Sequence, residues 1–190
     1  MSAGTEHATA DPAQHAVRFY GSADELPECV SQFLGAGLAA GETVIMVAVP
    51  GHRQAIEARL AADVDVEAAR VAGRYIPLNA AELMSLVLLD RRPDPASLDL
   101  VIGSLIRRAL AAARAVRVYG EMSPLLWEAG HVAAALELET LWDRMARELR
   151  LTSLCAYPGA LVSGPENGAA LRALCELHTA VAGRPHGSIA

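Results

Sequence analysis

The stretch TVIMVAV (43–49) is a continuous apolar run of strand length. A strand with one wet face alternates apolar and polar side chains, so this run requires burial on both faces. A mainly parallel sheet covered by helices meets that requirement, and the flanking sequence supplies the helices. Before the run, Leu26, Val30, Phe33, Leu34 and Leu38 recur at helical spacing, and Gly41 supplies the stop. After it, Pro50-Gly51 turns the chain into the helical segment HRQAIEARLAA.

The same alternation runs along the chain. HAVRFY (15–20) reads as a first strand, with helix-start chemistry in Ser22, Asp24 and Glu25 and Pro27 tolerated in the first turn. Asp63 to Gly73 is ambiguous and can form a short helix. RYIPL (74–78) is a short strand interrupted by Pro77, which places it at an edge. Asn79 followed by Glu82 resembles a capping box for the helix AAELMSLVLL. RRPDP is a linker, and Asp94-Pro95 starts a long helix to about Ala113. AVRVYG (115–120) is the next strand, followed by helices over about 122–129 and 131–149. LTSLCAY (151–157) is a fifth strand, and a last amphipathic helix runs from about Pro165 to Ala182. The expected fold is α/β, a three-layer sandwich around a mainly parallel sheet of about five strands. One domain over 14–182 is expected, with tails at 1–13 and 183–190.

Composition removes several classes of function. A length of 190 residues suits one domain with a sizeable core. The formal charge is −6 with no long basic run, which disfavours nonspecific binding to nucleic acid or an anionic membrane. Cys29, Cys155 and Cys175 stand singly among apolar residues and read as buried thiols in a reducing cytoplasm. The first residues carry no cationic and apolar leader, and every apolar stretch is interrupted well short of about 18 residues. A cytoplasmic protein with no membrane span is expected.

In open α/β sheets, ligands bind outside the carboxyl ends of strands. That rule selects Tyr20, Gly21 and Ser22, then Pro50, Gly51 and His52, then Glu121 and Met122, then Tyr157 and Pro158. A phosphate-binding loop after the first strand needs several glycines and a lysine. YGSADEL has one glycine and two acids there, and lysine is absent from the whole chain. The six histidines are dispersed without metal-ligand spacing, so no metal or other cofactor is expected. No nucleophile elbow is present, and Cys155 reads as core.

Glu121 ends a buried-looking strand, where related α/β folds keep a metal- or water-activating carboxylate. It can be a catalytic base, a ligand contact, a helix cap, or the partner of an arginine such as Arg18 or Arg117. With no nucleophile or phosphate loop in view, structural or ligand-contacting roles are favoured. Trp127 and Trp142 lie among leucines at helical spacing and read as core before they read as a ligand cage.

Three blocks together resemble the MEDS domain family. They are HAVRFY, FLGAGLAAGETVIMVAVPGHRQAIEARL and VRVYGEMSPLLWEAGHVAAALELETLWDRMARELRLTSLCAYP. The family's first-strand pattern is matched by His15, Phe19 and Tyr20, and the resemblance spans about residues 15 to 180. It implies a P-loop-NTPase-like (RecA/KaiC-like) fold without ATPase motifs, serving as a sensory input for small molecules such as hydrocarbon derivatives. Such domains are often joined to histidine-kinase-type, anti-sigma or DNA-binding outputs. Here any output is expected to be another polypeptide, or the chain is expected to be a stand-alone regulator.

The first expectation is therefore a non-enzymatic signalling module that binds a small molecule or a partner protein. Its candidate ligand-binding residues are His15, Tyr20, Ser22, His52, Glu121, Trp127 and Tyr157. The alternatives are a ligand-free protein-interaction regulator and a residual nucleotide-binding protein that uses Glu121.

Overall fold

In the computed structural model, residues 14–113 and 115–183 are described. The expected tails fall outside these residues, apart from Gly183. In chain order the elements are β1 (Gln14–Tyr20), α1 (Glu25–Ala39), β2 (Thr43–Ala48), α2 (Pro50–Leu60), α3 (Val66–Val71), β3 (Tyr75–Asn79) and α4 (Ala80–Val87). A small hairpin, β4 (Leu88–Leu89) and β5 (Arg92–Pro93), follows, then α5 (Pro95–Leu98), a π-helical segment (Asp99–Gly103) and α6 (Ser104–Ala112). The last third holds β6 (Val116–Gly120), α7 (Met122–Glu128), α8 (Val132–Leu149), β7 (Thr152–Pro158), α9 (Gly159–Val162), a 3-10 turn (Pro165–Asn167), α10 (Gly168–Glu176) and β8 (Ala180–Ala182).

Six strands form one parallel sheet in the order β3-β2-β6-β7-β1-β8. Every residue of β2 is buried, as the apolar run at 43–49 requires. β3 with Pro77 lies at one edge, where a residue without an N–H is tolerated.

Alternate residues divide between two cores. On one face Val17, Phe19, Val47, Val118, Cys155 and Tyr157 pack with residues of α4, α7 and α8. On the other Val44, Met46, Tyr119 and Leu154 pack with residues of α1 and α2. Gly37 lets α1 approach closely: a Cβ there would lie 2.9 Å from Arg117, Glu42 and Val44. Arg117 is held by Glu42 through bonds of 2.7 and 3.1 Å, so it is unavailable to Glu121.

Three local expectations change. The last helix stops at Glu176 instead of Ala182, and the chain adds a sixth strand. Thr179 makes that switch, because its N–H donates to the His15 carbonyl at 2.7 Å and its hydroxyl accepts from the His15 N–H at 3.0 Å. These bonds satisfy the edge of β1 more fully than another helical turn would. The expected long helix after Asp94 is interrupted by the π-helical segment. The RRPDP linker contributes to a hairpin whose turn residues, Asp90 and Arg91, have φ of 50° and 63°. The ambiguous 63–73 segment holds α3, capped by Asp65, which accepts from the Ala68 N–H at 2.8 Å. Among the described residues no helix is long and apolar enough to cross a membrane.

Candidate functional site

At the carboxyl ends of the strands, Glu121 is 3% exposed. One of its carboxylate oxygens accepts from the Val49 N–H, at the N-cap of α2. The other accepts from His52 Nδ1 at 2.7 Å and from the Tyr119 hydroxyl at 3.2 Å. Its partners are thus a helix start, an imidazole and a phenol: of the two structural readings the helix end is met, at α2 and not at the following α7, and no arginine is among these partners. Glu121 stitches the end of β6 to the end of β2, and its charge suits the positive end of α2. The hydrogen bond that His52 donates to Glu121 raises the His52 pKa above the ordinary imidazole value, outweighing partial burial. The Tyr20 hydroxyl is pushed up to about 12, first by burial and then by the charges of Glu121 and Glu128.

The loop after β1 is closed by its own anion. The Gly21 N–H donates to Glu25 at 2.9 Å, and the Ser22 hydroxyl donates to the same carboxylate at 3.4 Å. The backbone donor that would meet a phosphate is therefore already engaged by a carboxylate.

A second polar group lies inside the α8 layer. Glu139 on α8 is 0% exposed. Its Oε1 accepts from the Tyr157 hydroxyl at 2.6 Å. Around its Oε2 stand Cys155 Sγ at 3.4 Å, His15 Nε2 at 3.4 Å and His178 Nε2 at 3.6 Å. Cys155 Sγ is also 3.6 Å from His15 Nε2. The two imidazoles stack with centroids 3.9 Å apart. His178 Nδ1 is 2.7 Å from the Leu174 carbonyl, and His15 Nδ1 is 3.5 Å from Asp143. The four donor atoms of His15, Glu139, Cys155 and His178 all lie within 4.8 Å of one another, a grouping that can hold a metal ion.

Burial pushes the Glu139 carboxyl up, and the groups around it, His15 first, more than offset this and hold it below the usual carboxylate range. Burial pushes the His178 imidazole down and both the Cys155 thiol and the Tyr157 hydroxyl well up.

Beside this group is a cavity of about 30 Å³, room for one or two water-sized molecules. Val47, Val118, Ile102, Met122, Leu138 and Trp142 make it mainly apolar, while Glu139 and Cys155 form part of its wall. Ile102 belongs to the π-helical segment, a departure from α-geometry that is frequent at functional sites.

Comparison with known proteins fits this architecture. The model of the MEDS family, the methanogen/methylotroph, DcmR sensory domain, matches residues 14–179. The chain belongs to the MEDS family. Among solved structures, a KaiC-like protein from the hyperthermophilic archaeon Pyrococcus horikoshii is similar with a TM-score of 0.59 and 13% sequence identity. The alignment covers 94% of this chain and 75% of that one. At that identity the likeness shows the fold, a KaiC-like three-layer sandwich, and nothing about activity. No curated protein sequence matches.

Within the MEDS fold the seven candidate residues separate into two places. Tyr20, Ser22, His52 and Glu121 lie at the carboxyl ends of the strands. His15 and Tyr157 belong to the buried group on the α8 side, and Trp127 packs edge-on against Tyr157 with centroids 5.8 Å apart. Tyr157 ends a strand in sequence, yet its side chain enters the core. Glu139, Cys155 and His178 were not among the candidates. They come from α8, β7 and the turn after α10, so no spacing along the chain joins them. A glutamate among the apolar residues of the α8 pattern is the one local signal, since a 0% exposed acid needs partners.

Proposed function

We propose that this MEDS domain is a non-catalytic sensor that takes up a small, mainly apolar molecule in the cavity between the sheet and α8. The observation that carries this reading is the cavity itself, small and apolar, with walls drawn from β2, β6, β7, the π-helical segment, α7 and α8. A ligand that fits there binds one spacing of these helices better than another, and that difference in affinity shifts their positions. The size of the cavity favours one-carbon molecules, in keeping with a sensory family of methylotrophs and methanogens. The reading places the output in a partner protein of histidine-kinase or anti-sigma type, since an acidic chain without lysine is poorly suited to bind nucleic acid directly.

Thermal unfolding with a series of one- to three-carbon alcohols, amines and halocarbons tests this. A fitting member raises Tm by about 5–10 °C at roughly a hundred times its Kd. The shift falls away as the molecules grow, and it is absent in Val118→Leu, which fills the cavity. No shift across the series, or an equal shift in Val118→Leu, rejects the reading.

A further inference from the structure

We infer that His15, Glu139, Cys155 and His178 form a binding site for one divalent transition-metal ion of the zinc class. The distances around Glu139 Oε2 are the first reason. At 3.4 and 3.6 Å the two imidazole nitrogens stand too far from this oxygen for good hydrogen bonds, and the sulfur stands beside them at 3.4 Å. They stand where neighbours in a tetrahedral shell belong. With metal bonds of about 2.1 Å to nitrogen or oxygen and about 2.3 Å to sulfur, such neighbours are about 3.4 to 3.6 Å apart. The His15–Cys155 separation of 3.6 Å fits the same shell.

The direction of the imidazole lone pairs gives a second, independent reason. His178 Nδ1 lies 2.7 Å from the Leu174 carbonyl, an acceptor, so Nδ1 carries the hydrogen there. Nε2 therefore faces a carboxylate oxygen at 3.6 Å, and in the tautomer with its hydrogen on Nδ1 it turns a lone pair toward that oxygen. Two such lone pairs in a dry interior repel, and a metal ion between them accepts both. His178 Nε2 has no hydrogen-bond partner among the described residues. It is therefore a buried, unpartnered electron-pair donor aimed into the group.

The surroundings are those of a metal site as well. The Tyr157 hydroxyl orients Glu139 from its other oxygen, and the Leu174 carbonyl orients His178. Such outer contacts fix ring orientation and make ligands more basic. Two nitrogens, one sulfur and one oxygen suit zinc, which takes all three donor types in four-coordinate sites, and Co²⁺ reports on the same geometry. Binding displaces the Cys155 thiol proton to solvent, and the thiolate, the carboxylate and two neutral imidazoles then share one dication. The neighbouring cavity reaches Glu139 and Cys155 and gives the ion an approach. The ion site needs no occupant in that cavity, so the two proposals succeed or fail separately.

Titration of chelator-treated full-length protein with Co²⁺ decides the matter. One equivalent binds per chain, producing visible bands of tetrahedral cobalt and a thiolate-to-cobalt charge-transfer band. The charge-transfer band disappears in Cys155→Ser and persists in Cys175→Ser. Tyr157→Phe, which removes only the orienting hydroxyl, weakens binding about tenfold. The wild-type spectrum alone tests the site, even where a variant folds poorly. No saturable uptake, uptake without a thiolate band, or a band that depends on Cys175 overturns the assignment.

Discussion

Two carboxylates lie buried in this domain, one at the strand ends and one beneath the sheet, and their surroundings differ in kind. Glu121 has a backbone N–H, an imidazole at 2.7 Å and a phenol at 3.2 Å. Glu139 has one short bond, to Tyr157 at 2.6 Å, while three further heteroatoms stand off its other oxygen at 3.4 to 3.6 Å. The Glu121 group is complete with protein atoms and acts as a clamp between strands. The Glu139 group is spaced for a larger occupant than a proton. An acid at a strand end thus has a structural task, while the arrangement suited to chemistry lies one layer below.

The sharpest way to break this contrast is Glu139→Ala. In metal-free protein it leaves the Tyr157 hydroxyl buried without its acceptor and the two imidazoles without the carboxylate they face, and unfolding free energy falls by about 3–5 kcal/mol. Urea unfolding in the presence of a chelator measures it. A loss under about 1 kcal/mol would mean that the surrounding groups reach other partners, and the buried network would lose its special standing.

Glu121→Ala comes next. The Val49 N–H and the Tyr119 hydroxyl lose their acceptor, but the site lies near solvent and water can replace part of it. The expected cost is about 2 kcal/mol by urea unfolding, with Co²⁺ binding unchanged. A cost as large as that of Glu139→Ala would erase the distinction between clamp and buried cluster. A change in cobalt affinity would show that the two regions are coupled through the sheet.

Why one region was readable and the other was not follows from how each is encoded. The four inner strands announce themselves as apolar or alternating β-prone runs, and the helix starts as Asn79 or Asp94 before a helical stretch, because those signals are local. The strand-end rule turns such a reading into positions, so Tyr20, Ser22, His52 and Glu121 were accessible. His15, Glu139, Cys155 and His178 meet only after β1 and β7 pair and α8 packs across them. Their geometry is tertiary, and each alone looks like a core residue. β8 was hidden for a related reason, since its three residues are exposed and owe their conformation to pairing with β1. The π-helical segment at Asp99–Gly103 carries no glycine or proline before its last residue, so nothing local separates it from the helix expected there.

The smallest effect is a pH dependence at His52. Its pKa is raised, chiefly by the hydrogen bond with Glu121. A folded-state pKa above the unfolded value adds stability that is full below the ordinary imidazole pKa of about 6.5 and fades as pH rises through the folded value. Because 44% of the His52 side chain is exposed, solvent screens the pair and the gain stays well below that of either carboxylate. The neutral ring can also keep its proton on Nδ1 and continue donating to Glu121, so part of the contact survives at high pH. The stability gap between wild type and His52→Gln should therefore shrink, without vanishing, between about pH 5.5 and 8.5. A gap that widens with pH would mean that His52 acts as a neutral ligand of Glu121 and that the clamp holds no ion pair.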